Sequence, residues 1–386
     1  MRTSRGRATL ALVGLLTALG VGSHPATAEI QKTGTASVEV QPIRSRWPVM
    51  REASGRWVVL GEGIAKHTGS EPLNIRSVRF RVLDDGGELL ARQVFEGQDL
   101  SQMLGVITYD AQGNARLKPA GTTTLDPGDV GIAVLGTLAG QRSTPTKAEI
   151  TFDFDAGPAR KTVVALIPFS PGQQMSWPLR FASGRPWVAL NTFSPADPVP
   201  SHRIGLFLTP ADFFISQRFA IDCVQMDLVG QTSNPPSSLQ KEDYYAWGEE
   251  VSSVGFGQVV AVVTDQPDQE VGVADPAHPA GNYIVVQHGP RLYGLYAHMM
   301  EGSAIVSVGD RVSGGQALGR VGNSGDTTEP HLHFHFADRW DGLDPVQSIF
   351  TSQGVPALFW NAHVTRGHRH FPLHGTTPLE WDLVEP

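Results

Sequence analysis

Gly322-Asn323-Ser324-Gly325-Asp326-Thr327-Thr328-Glu329-Pro330-His331-Leu332-His333-Phe334-His335-Phe336 opens as a turn and closes as a strand. Gly, Asn, Ser and Asp are turn formers, and the residues after Pro330 alternate imidazole with apolar side chains. Successive strand side chains point to opposite faces, so His331, His333 and His335 share one face while Leu332, Phe334 and Phe336 share the other. The chain therefore carries a rigid histidine array backed by a hydrophobic core.

Neutral imidazole is the commonest protein metal ligand, and two at i, i+2 on a strand can meet one ion or one bound substrate. A solvent-facing strand with polar residues on its wet side has the same pattern. The preceding words separate the two readings. Leu295-Tyr296-Ala297-His298 comes first, then Val308-Gly309-Asp310-Arg311-Val312, then Gly322-Asn323-Ser324-Gly325 and Pro330-His331-Leu332-His333-Phe334. In that order these resemble the lysostaphin/LytM family of zinc metallopeptidases over residues 201–338.

The resemblance implies a C-terminal antiparallel β-sheet peptidase domain in which Asp222 and His333 bind Zn2+ and water takes an open position. It implies His331 as general base and His298 as oxyanion stabiliser or proton shuttle. The family's first zinc-binding word is histidine-x-glycine-x-aspartate. Asp222 fits its aspartate, whereas Arg218 stands where its histidine would be. A guanidinium is always charged and has no lone pair for a metal. Either another donor fills the place, with His202 the candidate third ligand, or the site holds no catalytic zinc. His202 also reads as a surface-loop histidine.

Working outward, 386 residues with 42 Gly and 28 Pro, and few amphipathic helical patterns, describe a mostly β chain of two or three domains. Residues 1–28 combine Arg2, Arg5 and Arg7 with an apolar run from Ala8 to Val21 and Ala26-Thr27-Ala28. That is the pattern of a secretory signal peptide cleaved after Ala28, which implies a periplasmic or secreted protein without stable membrane insertion. The net charge is −8, and loss of the leader's three arginines makes it more acidic still. Such a balance argues against a nucleic-acid partner. Cys223 is the single cysteine, so no intramolecular disulfide forms, and its apolar neighbours describe an inert thiol.

Residues 29–156 read as an immunoglobulin-like β-sandwich. Val78, Phe80 and Val82 alternate with Arg79 and Arg81, and Ile150, Phe152 and Phe154 alternate with Thr151 and Asp153. This domain carries no catalytic cluster and is suited to positioning the second half or binding a protein partner. Residues 157–200 form a proline-rich connector, with short strands expected at 162–167 and 187–191. The peptidase domain spans 201–350. The extension 351–386 contains a second His-x-His, His368 and His370, which with Arg366 and Arg369 nearby reads as a solvated strand or tail.

Export, read from residues 1–28, and the resemblance together imply an exported zinc metalloendopeptidase acting on peptidoglycan peptides, with a protein substrate equally compatible. The alternative is a degenerate LytM domain that binds cell wall or a protein without catalysis. A lipoyl-type carrier, suggested by Val308 to Val312, is set aside because no lysine occurs between Glu242 and Pro386.

Overall fold

The computed structural model describes residues 38–385, apart from 45, 156, 181–183, 195–201, 203–206, 209–212, 341–347 and 349–350. The expected signal segment 1–28 lies outside the described residues. The fold is mostly β, as the alternating patterns predict, and it falls into two compact units. The second holds Met50–Gly55, Phe169–Ser194 and Ser216–Pro386, and the first holds the rest.

In the first unit the strands follow one path: Leu89–Glu96, Leu73–Leu83, Lys147–Phe154, Gly157–Pro168, Arg46–Arg51, Trp57–His67, Val130–Ala139, Leu104–Tyr109 and Ala115–Leu117. Val130–Ala139 also packs against Leu73–Leu83 and Leu89–Glu96, so the sheet folds over its own core. The register sets Ile150 opposite Phe80 and Phe152 opposite Val78, all fully buried, as period-two alternation requires. The intervening polar residues face outward and pair: Arg79 with Asp153 at 2.8 Å and Arg81 with Glu149 at 2.7 Å. Trp47 fills the centre against Phe80, with ring centroids 6.2 Å apart. It lies so close to Gly61 that a Cβ there would come within 2.3 Å of the indole. The strand expected at 162–167 is the outer half of Gly157–Pro168, which pairs with Lys147–Phe154.

In the second unit the path is Arg311–Val312, Gly257–Val263, Asn282–Gly289, Leu292–Met299, Leu332–Ala337, Ile221–Gln225, Trp187–Leu190, Leu383–Glu385, Phe359–Arg366 and Arg369–Thr376. Leu332, Phe334 and Phe336 are fully buried and pack with Tyr296, Trp187 and Phe359. Tyr296 and Phe334 have centroids 5.0 Å apart. Residues 351–386, set apart in the sequence as an extension, supply four strands of this sheet, with Gly354–Val355 pairing off the path to Leu332–Ala337. Arg366 there holds Asp382 through two 2.6 Å hydrogen bonds and Glu52 through one of 2.9 Å.

Candidate metal and catalytic centre

The site grows from one row of the sheet. Asp222 lies directly across from His333, and His333 directly across from Ala297. Opposed residues point to the same face, so Asp222 and His333 project together. The His333 ring lies with Nδ1 2.9 Å from Asp222 Oδ1 and Nε2 2.9 Å from His335 Nδ1. His331 Nε2 is 3.6 Å from the same Asp222 oxygen. One carboxylate is thus shared by two imidazoles.

The imidazole face is not the wet face that alternation alone allows. His331, His333 and His335 are only 9%, 3% and 0% exposed, so the strand is buried on both sides. Buried polar groups need partners, and these have them. The His331 Nδ1–H is directed at the Glu329 carbonyl at 2.8 Å, with the Thr327 hydroxyl 3.2 Å away. That leaves Nε2 facing Asp222.

His298 reaches this face by a backbone device. Ala297 already points toward the site, so the next residue of a regular strand would turn toward the core. His298 instead has φ 60°, in the left-handed region, where the register with Asn282–Gly289 slips. Its ring comes to 4.7 Å from His331 and 5.8 Å from His333, between centroids. A left-handed non-glycine costs free energy and persists only when its surroundings hold it. Here the His298 N–H donates to Ala280, its carbonyl accepts from Gly322, and its Nδ1 faces the Ser324 carbonyl at 2.9 Å. Burial, and next the neighbouring His331 and His333, hold the His298 pKa well below the ordinary histidine value. It is a neutral imidazole at neutral pH.

Among the described residues, one group has metal-ligand chemistry and spacing. Donor atoms of His202, Asp222 and His333 all lie within 4.8 Å of one another. One carboxylate and two imidazoles fit a zinc ion with an open position. Arg218 is buried in the turn before Ile221–Gln225, not on the strand, and its guanidinium donates to Gln353 at 3.5 Å.

Two contributors have no sequence signal. Asn191 Nδ2 donates to Asp222 Oδ2 at 2.7 Å, fixing the carboxylate from a residue that reads only as the end of a short strand. Thr327 reads as turn filler yet touches His331. His288 lies within the strand Asn282–Gly289, with Nδ1 3.0 Å from the Phe256 carbonyl, and plays no part in the cluster.

Residues 243–345 match the model of peptidase family M23. This stretch is an M23 domain of the LytM type. It contains His298, His331 and His333, while Asp222 lies outside the match and joins through strand pairing. The peptidoglycan DD-endopeptidase ShyA of Vibrio cholerae is 44% identical over 81 residues, 20% of this chain and 18% of that protein. The murein hydrolase activator EnvC of Escherichia coli is 32% identical over 98 residues, 25% of this chain and 20% of that protein. The chain thus spans about a fifth of the length of these relatives. A zinc-containing peptidase from Vibrio cholerae aligns over 72% of this chain and 82% of that one, at 15% identity and a TM-score of 0.24.

Proposed function

We propose that the chain is an exported zinc endopeptidase that hydrolyses amide bonds in peptidoglycan peptides. The observation that carries the reading is the shared Asp222 carboxylate. It has His333 at 2.9 Å and His331 at 3.6 Å, and His202 completes the donor group. Asp222, His333 and His202 would hold the metal, which when bound lowers the pKa of its water and polarises a carbonyl.

The remaining steps belong to the chain's own groups. His331, held through Nδ1 by the Glu329 carbonyl, presents Nε2 as general base. His298, kept neutral by burial and committed through its Nδ1–H to the Ser324 carbonyl, presents the Nε2 lone pair, which can take up a proton and pass it to the leaving amine. Asn191 and His335 hold Asp222 and His333 in orientation. Relatives acting on peptidoglycan support the substrate class. The N-terminal β-rich residues 38–168, without such a cluster among those described, are proposed to bind a protein partner or to position the rest of the chain.

A regulator without catalysis is the second reading. It is favoured by Arg218 at the place of a family ligand and by the likeness to a murein hydrolase activator. The two separate by incubating the signal-less chain with purified peptidoglycan and mass-analysing the soluble peptides. Cleavage that stops with chelator, returns with zinc and is missing in His333→Ala is the expected result. No new amino termini, with zinc at one equivalent, would leave the regulator.

A further inference from the structure

We propose that Glu329 is a specificity residue of this site, recognising a primary ammonium group carried by the peptide substrate close to the amide that is cleaved. The inference rests on the peptidase reading and adds the chemistry of the substrate.

Glu329 is tied to the reacting face through its backbone. Its carbonyl accepts from the His331 ring at 2.8 Å and from the Thr327 hydroxyl at 2.9 Å. Pro330, which follows, restricts the backbone between the two side chains. The carboxylate therefore sits at a set distance along the chain from the general base.

The side chain is part-buried and under-compensated. Oε2 accepts one hydrogen bond, from the Thr232 hydroxyl at 3.0 Å, and no lysine or arginine pairs with it among the described residues. Burial raises the pKa of this carboxyl, and the Thr232 hydrogen bond and the nearby His331 oppose the rise only in part. An ionised carboxylate has room for about four hydrogen bonds, and burying its charge without a counter-charge is costly. A turn residue with only a structural task would gain from an amide or a hydroxyl here. A cation arriving with the ligand supplies what the fold leaves out.

The surroundings favour an ammonium. An ammonium has three donors. The Thr232 hydroxyl spends its hydrogen on Glu329 and keeps its oxygen lone pairs, so carboxylate and hydroxyl together offer acceptors from two directions. The Tyr244 hydroxyl behind is already committed to the Ser238 carbonyl at 3.0 Å. The Glu329 carboxylate and the Thr232 hydroxyl therefore form an acceptor pair with no competing donor of its own from these groups.

The test is a binding measurement, made on the full signal-less chain with chelator present so that nothing is hydrolysed. Titration calorimetry compares a short peptide carrying one lysine side chain with the same peptide acetylated on that amine, for wild type and Glu329→Gln. The variant keeps the shape and an acceptor for Thr232 but loses the charge. Wild type should prefer the free amine by roughly 10-fold or more, the scale of one charge-assisted hydrogen bond. In Glu329→Gln the preference should fall to about 2-fold or less while the acetylated peptide binds as before. Equal binding of the two peptides to wild type, binding of neither, or a preference that survives the substitution would overturn the proposal. The two failures are distinguishable: an amine preference of the wild type, lost in Glu329→Gln, in a chain that never cleaves peptidoglycan sinks the peptidase reading and leaves Glu329 as the selector of a binding module.

Discussion

The strands Leu73–Leu83 and Leu332–Ala337 have the same alternation and opposite polar faces. In the first, Arg79 and Arg81 point to solvent and meet Asp153 and Glu149, and the Arg79 side chain remains 42% exposed. In the second, His333 and His335 are 3% and 0% exposed and hydrogen-bond to each other and to Asp222. The apolar faces are equivalent, with Phe80 and Phe334 both fully buried. Alternation thus places side chains on faces, and what covers the polar face decides whether it solvates or acts. Water screens the first set of charges, whereas the second set interacts in a low-dielectric setting where each hydrogen bond is electrostatically stronger.

The largest effect should come from the face the two strands share. Phe334→Ala removes a ring that packs on Tyr296, Phe336 and Phe359. It should cost about 3–5 kcal/mol of stability, by the transfer and cavity terms together. Chemical denaturation followed by tryptophan fluorescence reads it. A loss below about 1 kcal/mol would mean that this face is not a core.

Next comes a dependence on pH that the first strand lacks. His288, buried between Phe256 and Phe336, has its pKa lowered by burial from 6.5 to about 4. The unfolded chain takes up this proton below about pH 6.5 while the folded chain does not. Stability is therefore fully present above pH 6.5 and falls as the pH drops toward 4, by roughly 3 kcal/mol in all. His288→Phe should flatten the slope of denaturation midpoint against pH in that window. An unchanged slope would assign the acid sensitivity to other groups.

A smaller effect sharpens the polar-face comparison. His335 touches His333 on the edge away from Asp222, so its loss frees the ring to turn without removing a ligand. His335→Ala should weaken zinc binding about 10–100-fold, the usual effect of losing an outer-shell partner. Competition with a fluorescent chelator measures it. An unchanged affinity would show that Asp222 alone orients His333.

Much of this was legible from residue order. The mostly β class follows from period-two runs between glycine and proline turns, and the Asp222, His298, His331 and His333 cluster follows from words that resemble LytM peptidases. What stayed hidden depends on groups that meet only after folding. Asn191 reaches Asp222 from 31 positions away with no motif around it. The Tyr-Ala-His word names His298 but not the left-handed backbone that brings its ring to the imidazole face. The tail reads as solvated because Arg366 stands among histidines, yet its charge is matched by Asp382 and by Glu52, 314 residues away. Ion pairs of that separation leave no local pattern.

The smallest effect should come from the wet face. Arg79 holds Asp153 through two hydrogen bonds of 2.8 and 2.9 Å, and Asp153 also accepts from Ser77 at 2.8 Å. By geometry this is a better pair than the single 2.9 Å contact between His335 and His333. But the arginine is substantially exposed, so its attraction is screened and partly cancelled by the entropy of holding a long side chain. Arg79→Ala should therefore change stability by about 1 kcal/mol or less, and the change should shrink further in high salt. A loss of several kcal/mol, insensitive to salt, would mean that the outer face of Leu73–Leu83 is covered in the native protein and works as the histidine face does. The contrast between the strands would then lie in their chemistry alone, not in their exposure.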